Sequence, residues 1–315
     1  MLFRLTLAAV VAVPAFTTAA QAAVASAKPV IRYAGIASCS QADGGRHPCG
    51  PVQLWLSNGR VIPLPAARRT VGQDEYVADA VVAVSQDGAR AAYFDGTDGV
   101  LTIWTAATGT ARRIPAVTWP GDLRMSALTL SPGGRYLGMR GESLSGWEID
   151  RVVDTVTGKT ITLPRGYQVW DFDPAGRRLM AGDNRTAVLY ATGTWSVKLR
   201  RTAYLRGDLA RDGVTVAGTT WKKAGRSVAH KVVIRNLANG KRSAIPIRLK
   251  AGEVPLRTRW DRAGHLDVLT RSDRTVRGDL RRTHTWYRLD RTTHRLRRLD
   301  SFVIPSSVGG YVLPG

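Results

Sequence analysis

Two tight-turn signatures, alternating in fixed order, constrain this 315-residue chain more than any other feature. The first follows a short apolar run: Ser85-Gln86-Asp87-Gly88, Ser131-Pro132-Gly133-Gly134, Asp173-Pro174-Ala175-Gly176, Arg211-Asp212-Gly213 and Asp261-Arg262-Ala263-Gly264. A second, partly apolar run comes next each time, so the glycine supplies the positive φ that a strand reversal needs. The second signature ends a later strand in a small polar residue and Gly: Thr108-Gly109, Thr157-Gly158, Thr192-Gly193 and Asn239-Gly240, with Thr292-Thr293 as a degenerate copy. Each unit therefore reads strand, turn, strand, variable loop, strand, second turn, strand. Successive first-turn glycines lie 46, 42, 37 and 51 residues apart. Four strands in about 40–50 residues, repeated, is the sequence form of a propeller blade. A sandwich of short strands would not alternate two turn types in one order five times over.

Five complete units span roughly residues 80–302, and the two ends account for a sixth. Residues 30–36, 52–57 and 60–65, with the turn Asn58-Gly59, form a blade that lacks its innermost strand. Residues 308–314 (VGGYVLP) are one apolar strand without a partner of its own. Pairing the two leaves no sheet incomplete at the seam. The expected fold is all-β: a six-bladed β-propeller of four antiparallel strands per blade, closed by its N- and C-terminal strands.

The first residues are set apart from that domain. Arg4, the apolar run of residues 5–16 and the small-x-small pattern Ala20-Gln21-Ala22 are expected to form a cleaved signal peptide, residues 1–22, before a single domain over 23–315. Pro14, Thr17 and Thr18 interrupt the run, which argues against a membrane anchor. Export gives Cys39 and Cys49, the chain's two cysteines, an oxidising setting in which a disulfide is expected. Their spacing lacks the CxxC-like form of a zinc site. The formal charge of +22 is uneven: residues 1–150 carry 13 Lys/Arg against 11 Asp/Glu, and residues 151–315 carry 33 against 13. An exported basic surface attracts anionic polymers, headgroups or acidic proteins.

No catalytic motif emerges. Arg113-Ile114-Pro115 matches a sialidase tripeptide, but Ile62-Pro63 and Ile245-Pro246 recur in the same fourth-strand slot, which makes the position structural. There is no Gly-x-Ser-x-Gly elbow, and the five histidines form no metal pair. His284 and His294 bracket a strand pair and read as a solvated hairpin. Asp95-Gly96-Thr97-Asp98-Gly99 reads as a hairpin loop capped by its Asp side chains rather than a calcium loop. No cofactor and no metal are expected. Of the nine tryptophans, Trp55, Trp104 and Trp286 occupy third-strand slots and Trp195 a fourth-strand slot. Trp119 and Trp221 are the better candidates for exposure.

The run SQDGARAAYF…GVLTIWTAATGTARRIP (residues 85–115) resembles a blade of TolB-type, WD-repeat-like β-propellers. The likeness covers about residues 80–302 and is strongest over 85–115 and 131–164. It implies a central channel and a binding face built from inter-strand loops, with no single activity, because such folds host many functions. The chain offers no counterpart to the family's additional N-terminal α/β domain.

The densest charge cluster lies between Arg271 and Arg298, with ten arginines against three aspartates. Arg281, Arg282, Arg288, Arg295, Arg297 and Arg298 are the expected anionic-ligand surface. The expected function is non-catalytic binding of a protein or anionic envelope component by a secreted or wall-associated monomer. Nucleic acid is not an expected partner. The rival class is a propeller enzyme, a glycan or small-ester hydrolase, which requires inward-facing ionisable side chains with perturbed pKa values.

Overall fold

The computed structural model describes residues 28–40, 46–71, 77–80, 82–143, 145–183, 185–202, 207–224, 227–276 and 279–315. The expected signal peptide lies outside the described residues. Six four-stranded antiparallel sheets follow one another along the chain, confirming the six-bladed β-propeller. Blade 2 comprises Val82–Val84, Arg90–Phe94, Val100–Thr105 and Thr110–Thr118. Blade 3 comprises Leu123–Leu130, Tyr136–Ser143, Glu148–Asp154 and Thr160–Thr162. Blade 4 comprises Gln168–Phe172, Arg178–Gly182, Thr186–Ala191 and Val197–Thr202. Blade 5 comprises Asp208–Leu209, Thr215–Ala224, Ser227–Asn236 and Arg242–Ile247. Blade 6 comprises Glu253–Trp260, Leu266–Val276, Asp279–Leu289 and Leu296–Ile304. A two-stranded sheet, Arg69–Val71 with Val77–Ala80, sits between blades 1 and 2 in sequence.

Blade 1 closes the ring as expected. Ile31–Ser40, Arg46–Leu56 and Val61–Leu64 are its three outer strands, and Val308–Val312 supplies the innermost. The closing register pairs Ala34 with Val312, Ile36 with Gly309 and Ala37 with Val308.

The core lies between blades rather than within one enclosed sheet pair. Alternate residues of a strand point to opposite faces, and here each face meets a different neighbour. In blade 2, Ala91, Tyr93 and Trp104 join the cluster shared with blade 1. Ala92, Phe94, Leu101 and Ile103 join the cluster shared with blade 3. The pattern continues around the ring through Tyr136, Phe172 and Leu179 between blades 3 and 4, Met180, Leu189 and Leu209 between 4 and 5, and Ala217, Val232 and Trp260 between 5 and 6. The seam between blades 6 and 1 is packed by Tyr33, Trp286, Phe302, Ile304 and Val308. Each fully buried large side chain contributes about 1.5–3 kcal/mol.

Both turn types lie at one end of the blades, the turn face; the loops between second and third strands lie at the other, the loop face. The first-turn glycines adopt the positive φ expected of them, from +67° at Gly88 to +84° at Gly264. The second turns correct the sequence reading twice. In blade 4 the Gly109 position is taken by Trp195, φ 57°, whose N–H donates to Ala191 O as that of Gly109 donates to Thr105 O. Thr192-Gly193 is thus two residues out of step, and Trp195 belongs to the turn, edge-on against Tyr136 with centroids 5.4 Å apart. In blade 6 the same position is His294, φ 59°. His284 is likewise not solvated: it is fully buried in the seam, stacked on Phe302 and edge-on to Tyr311 of the closing strand.

Two stability predictions arise from these contacts. A Cβ on Gly88 would stand 2.7 Å from the Ile31 carbonyl oxygen of blade 1, at a φ that L-residues rarely adopt, whereas one on Gly109 would meet nothing within 4 Å. Gly88→Ala is expected to cost about 2–3 kcal/mol and Gly109→Ala about 1 kcal/mol in denaturant unfolding. Equal costs would contradict the close approach. Burial pushes the His284 pKa down to about 4, with the Arg271 and Arg282 guanidinium groups adding to the shift and Asp273 opposing it. The unfolded chain therefore binds a proton first, and the stability from neutral His284 is lost as pH falls from about 6.5 to about 4. Melting temperatures across that window are expected to fall less steeply for His284→Phe than for the wild type.

Candidate functional site

The first strands stand next to one another around the axis, and three buried carboxyl groups tie successive blades in an ordered series. Asp150, on the third strand of blade 3, accepts the Val169 N–H of blade 4 through Oδ2 at 2.6 Å. Asp171, on the first strand of blade 4, accepts the Leu209 N–H of blade 5 at 2.7 Å. Asp208, on the first strand of blade 5, accepts from Thr258 Oγ1 at 2.6 Å and Arg257 Nη2 at 3.2 Å on blade 6. Each carboxyl group ties its own blade to the next. Burial raises the pKa of Asp171 well above the usual carboxylate range, and the neighbouring Asp208 carboxylate adds to the effect. Burial also raises Asp150, against the pull of the Val169 N–H and Arg140.

Two cavities meet at Trp170. One, of about 230 Å³, is bordered by Arg140, Asp150 and Gln168; the other, of about 380 Å³, by Asp208, Arg257 and Thr258. Inward-facing ionisable groups with shifted pKa values are therefore present. A buried carboxyl group with a raised pKa beside a second carboxyl group is a feature that acid–base sites use. Asp171 lines neither cavity, however, and the oxygens of Asp208 are engaged by Thr258 and Arg257. Among the described residues, no group of three or more His, Cys, Asp or Glu side chains is placed to hold a metal ion.

At the turn face, blade 1 contributes no first turn, because its innermost strand comes from the far end of the chain. Arg262 of blade 6 reaches across that gap to Asp87 of blade 2, 3.6 Å away. A cavity of about 410 Å³ opens there, between Gln86, Pro132 and Pro174 on one side and Arg259, Asp267 and Arg288 on the other. Asp267 is enclosed by two guanidinium groups, Arg259 at 3.3 Å and Arg288 at 3.0 Å. Arg288 also pairs with Asp261 at 2.8 Å, which in turn meets His265 Nδ1 at 2.7 Å.

The structure separates the six expected ligand arginines into groups. Arg288 and Arg297 are directly opposite on neighbouring strands of blade 6, and Arg295 joins them around a cavity of about 690 Å³ that also borders His265 and Arg291. Arg298 stands opposite Tyr287, one residue along and on the other face. Arg281 and Arg282 lie at the loop-face end of the same hairpin, in register with Arg274 and Asp273. Six residues separate Arg282 from Arg288, about 20 Å along a strand. Arg277 lies outside the described residues.

Other expected positions are met more directly. Cys39 and Cys49 form a disulfide, with Cα atoms 5.8 Å apart. Arg113-Ile114-Pro115 lies in the fourth strand of blade 2, with Arg113 exposed and paired to Asp98. Asp95 and Asp98 cap their hairpin loop, accepting Thr97 N–H at 2.8 Å and Val100 N–H at 3.0 Å. Trp104 and Trp286 are buried, and Trp55 is half-buried against Tyr33. Trp221 is 70% exposed as anticipated, but Trp119 is partly buried, edge-on to Phe94. Trp147, not singled out by the sequence, is exposed with the Arg165 guanidinium over its ring. The tie-forming Asp150, Asp171 and Asp208 were also missed. An Asp inside an otherwise apolar first strand, as in VWDF, is the signal that points to two of them.

The site and fold together define a six-bladed β-propeller whose blades 3 to 6 are tied in series by buried carboxyl groups. No protein-family model matches the chain, and no curated protein sequence matches it. Solved propellers do. TolB from Acinetobacter baumannii is 16% identical over 90% of this chain, with a TM-score of 0.48, and the match spans 65% of that longer protein. A provisional TolB from Agrobacterium tumefaciens is 10% identical over 87% of this chain and 90% of its own, also at 0.48. Hydrazine synthase from Kuenenia stuttgartiensis is 14% identical over 73% of this chain and 69% of its own, at 0.41. At such identities the likeness is one of fold.

The channel ties yield a third prediction. With its folded pKa raised, Asp171 contributes stability that is present below the unfolded carboxylate pKa and lost as pH rises through the folded one. Asp171→Asn keeps an oxygen for the Leu209 N–H and removes the ionisation. Its urea midpoint is expected to gain on the wild type between pH 4 and pH 7; a gap that does not change with pH would contradict the assignment.

Proposed function

We propose that this chain is an exported, non-catalytic propeller of TolB-like type that binds an anionic cell-envelope polymer through the outer strands of blades 4 to 6. The observation that carries the reading is the charge on those strands. Lys198 and Arg200 in blade 4, Arg242 in blade 5, and Arg297 and Arg298 in blade 6 are exposed and form no ion pair among the described residues. Asp300 is the one acid in the three strands, and it is bound by Arg32 of blade 1 at 2.6 Å. In blade 2 the fourth strand carries two exposed arginines, of which Arg113 has Asp98 for a partner and Arg112 forms no ion pair among the described residues. Lysine and arginine on an outer strand also deter edge-to-edge pairing. That need applies to all six blades, whereas the unpaired cations concentrate in three consecutive ones.

Export rests on the residue 1–22 pattern and on a disulfide that persists in an oxidising compartment. Among the described residues no helix is long and apolar enough to cross a membrane. The channel carboxyl groups favour binding over hydrolysis, because they are engaged in holding blade to blade.

Binding of this kind is governed by counterion release. Affinity for polyphosphate is expected to fall by about a hundredfold between ~0.05 and ~0.2 M salt when five cations engage the polymer. Lys198→Gln/Arg200→Gln/Arg242→Gln is expected to flatten that slope without moving the melting temperature. Polyphosphate affinity that ignores both salt and substitution would sink the reading.

A further inference from the structure

The turn-face end of blade 6 differs from the rest of the basic rim. Arg288 and Arg297 are directly opposite on adjacent strands, an arrangement in which like charges repel. Arg288 has its compensation on the inner side, in Asp267 and Asp261. Arg297 has none: it is exposed, and no carboxylate among the described residues reaches it. Arg295, also exposed, is likewise without a counter-charge. Arg291 has only the face of Trp260, 5.5 Å from its guanidinium carbon. The three unpaired guanidinium groups border one cavity of about 690 Å³ together with Thr292 and Thr293. The one acid of that turn, Asp290, also borders the cavity and accepts the backbone N–H groups of Thr292 and Thr293 at 2.8 Å and 3.0 Å. The chain thus holds three guanidinium groups without an ion pair at a concave site, against one carboxylate that is engaged by its own turn.

We infer that this cavity is a seat for a phosphate group, the unit by which the proposed anionic polymer is anchored; the inference rests on the reading of the basic rim given above. Three guanidinium forks offer more donors than the two oxygens of a carboxylate can accept. The non-bridging oxygens of a phosphate carry charge in more than one direction and suit arginines placed around one cavity, each able to bind two of them in parallel. A bound phosphate would also supply the charge that Arg297 lacks opposite Arg288.

Arg295→Gln/Arg297→Gln is the test, with Lys198→Gln/Arg200→Gln on blade 4 as a control of equal charge. Polyphosphate and polyglutamate are the two polymer probes, and inorganic phosphate is the competitor. The blade 6 variant is expected to lose about tenfold or more in polyphosphate affinity while its polyglutamate affinity changes no more than the control's. Inorganic phosphate is expected to raise the melting temperature of the wild type and not that of the blade 6 variant. Equal losses for the two polymers in both variants would overturn the phosphate seat and leave the rim reading standing. Failure of the wild type to bind either polymer at low salt would remove the rim reading itself. Tight binding to phosphatidylglycerol vesicles that inorganic phosphate does not compete would overturn the seat in favour of a lipid surface. Should the double variant melt early, Arg291→Gln alone, outside any strand, carries the same comparison.

Discussion

Every blade of this protein is apolar on both faces, and no blade can hide both by itself. A single sheet with Phe94 and Leu101 on one side and Tyr93 and Trp104 on the other is insoluble until each side meets another sheet. The ring is the arrangement that gives all six sheets two neighbours, and the remaining features serve it. Gly88 lets the first turn of blade 2 press on the backbone of blade 1, and the closing strand at Val308–Val312 seals the last seam. Carboxyl groups then pin blade 3 to blade 4 and the first strands of blades 4, 5 and 6 to one another.

That dependence explains what the channel is made of. The wall facing the axis cannot be apolar without attracting unwanted partners, and it cannot carry free carboxylates without paying for their burial. Asp150, Asp171 and Asp208 resolve the conflict by accepting hydrogen bonds from the next blade in sequence. The series runs one way, from blade 3 to blade 6, along the half of the ring where the sequence turns basic. Arg140 pairs with Asp150 at 3.4 Å and Arg257 with Asp208 at 3.2 Å. The channel is therefore internally neutralised, whereas the rim of blades 4 to 6 is not. Charge left without a partner lies outside, where solvent and large ligands reach it.

The blade repeat, both turns and the closure were legible because they depend on local chemistry: glycine at positive φ, alternation along a strand, and a strand left over at each end. What escaped the sequence depended on which residues the ring brings together. An Asp in VWDF looks the same whether it faces water or a neighbouring N–H, and only Leu209, on another blade, decides the matter. Trp195 misled because a bulky residue took a left-handed position where glycine was expected, its ring held by Tyr136 of the preceding blade. His284 misled because Tyr311, edge-on to its ring, belongs to the strand that leaves blade 6 to complete blade 1. The arginine cluster was legible as composition but not as a surface, since one hairpin long enough to span the blade carries Arg281 and Arg288 to opposite ends.

The closing strand has a kinetic consequence. Ala34 and Val312 lie at nearly opposite ends of the described chain, so the contact that completes the ring is among the most non-local the chain makes. Ordering so long a loop is slow, and it comes after the blades it joins have formed. Until then an arc of five paired blades leaves two apolar flanks uncovered, one at Tyr33 and one at Trp286. Those flanks match one another and equally match the flanks of a second molecule. At high concentration during refolding, the same strand that finishes a monomer is the natural element for exchange between two chains.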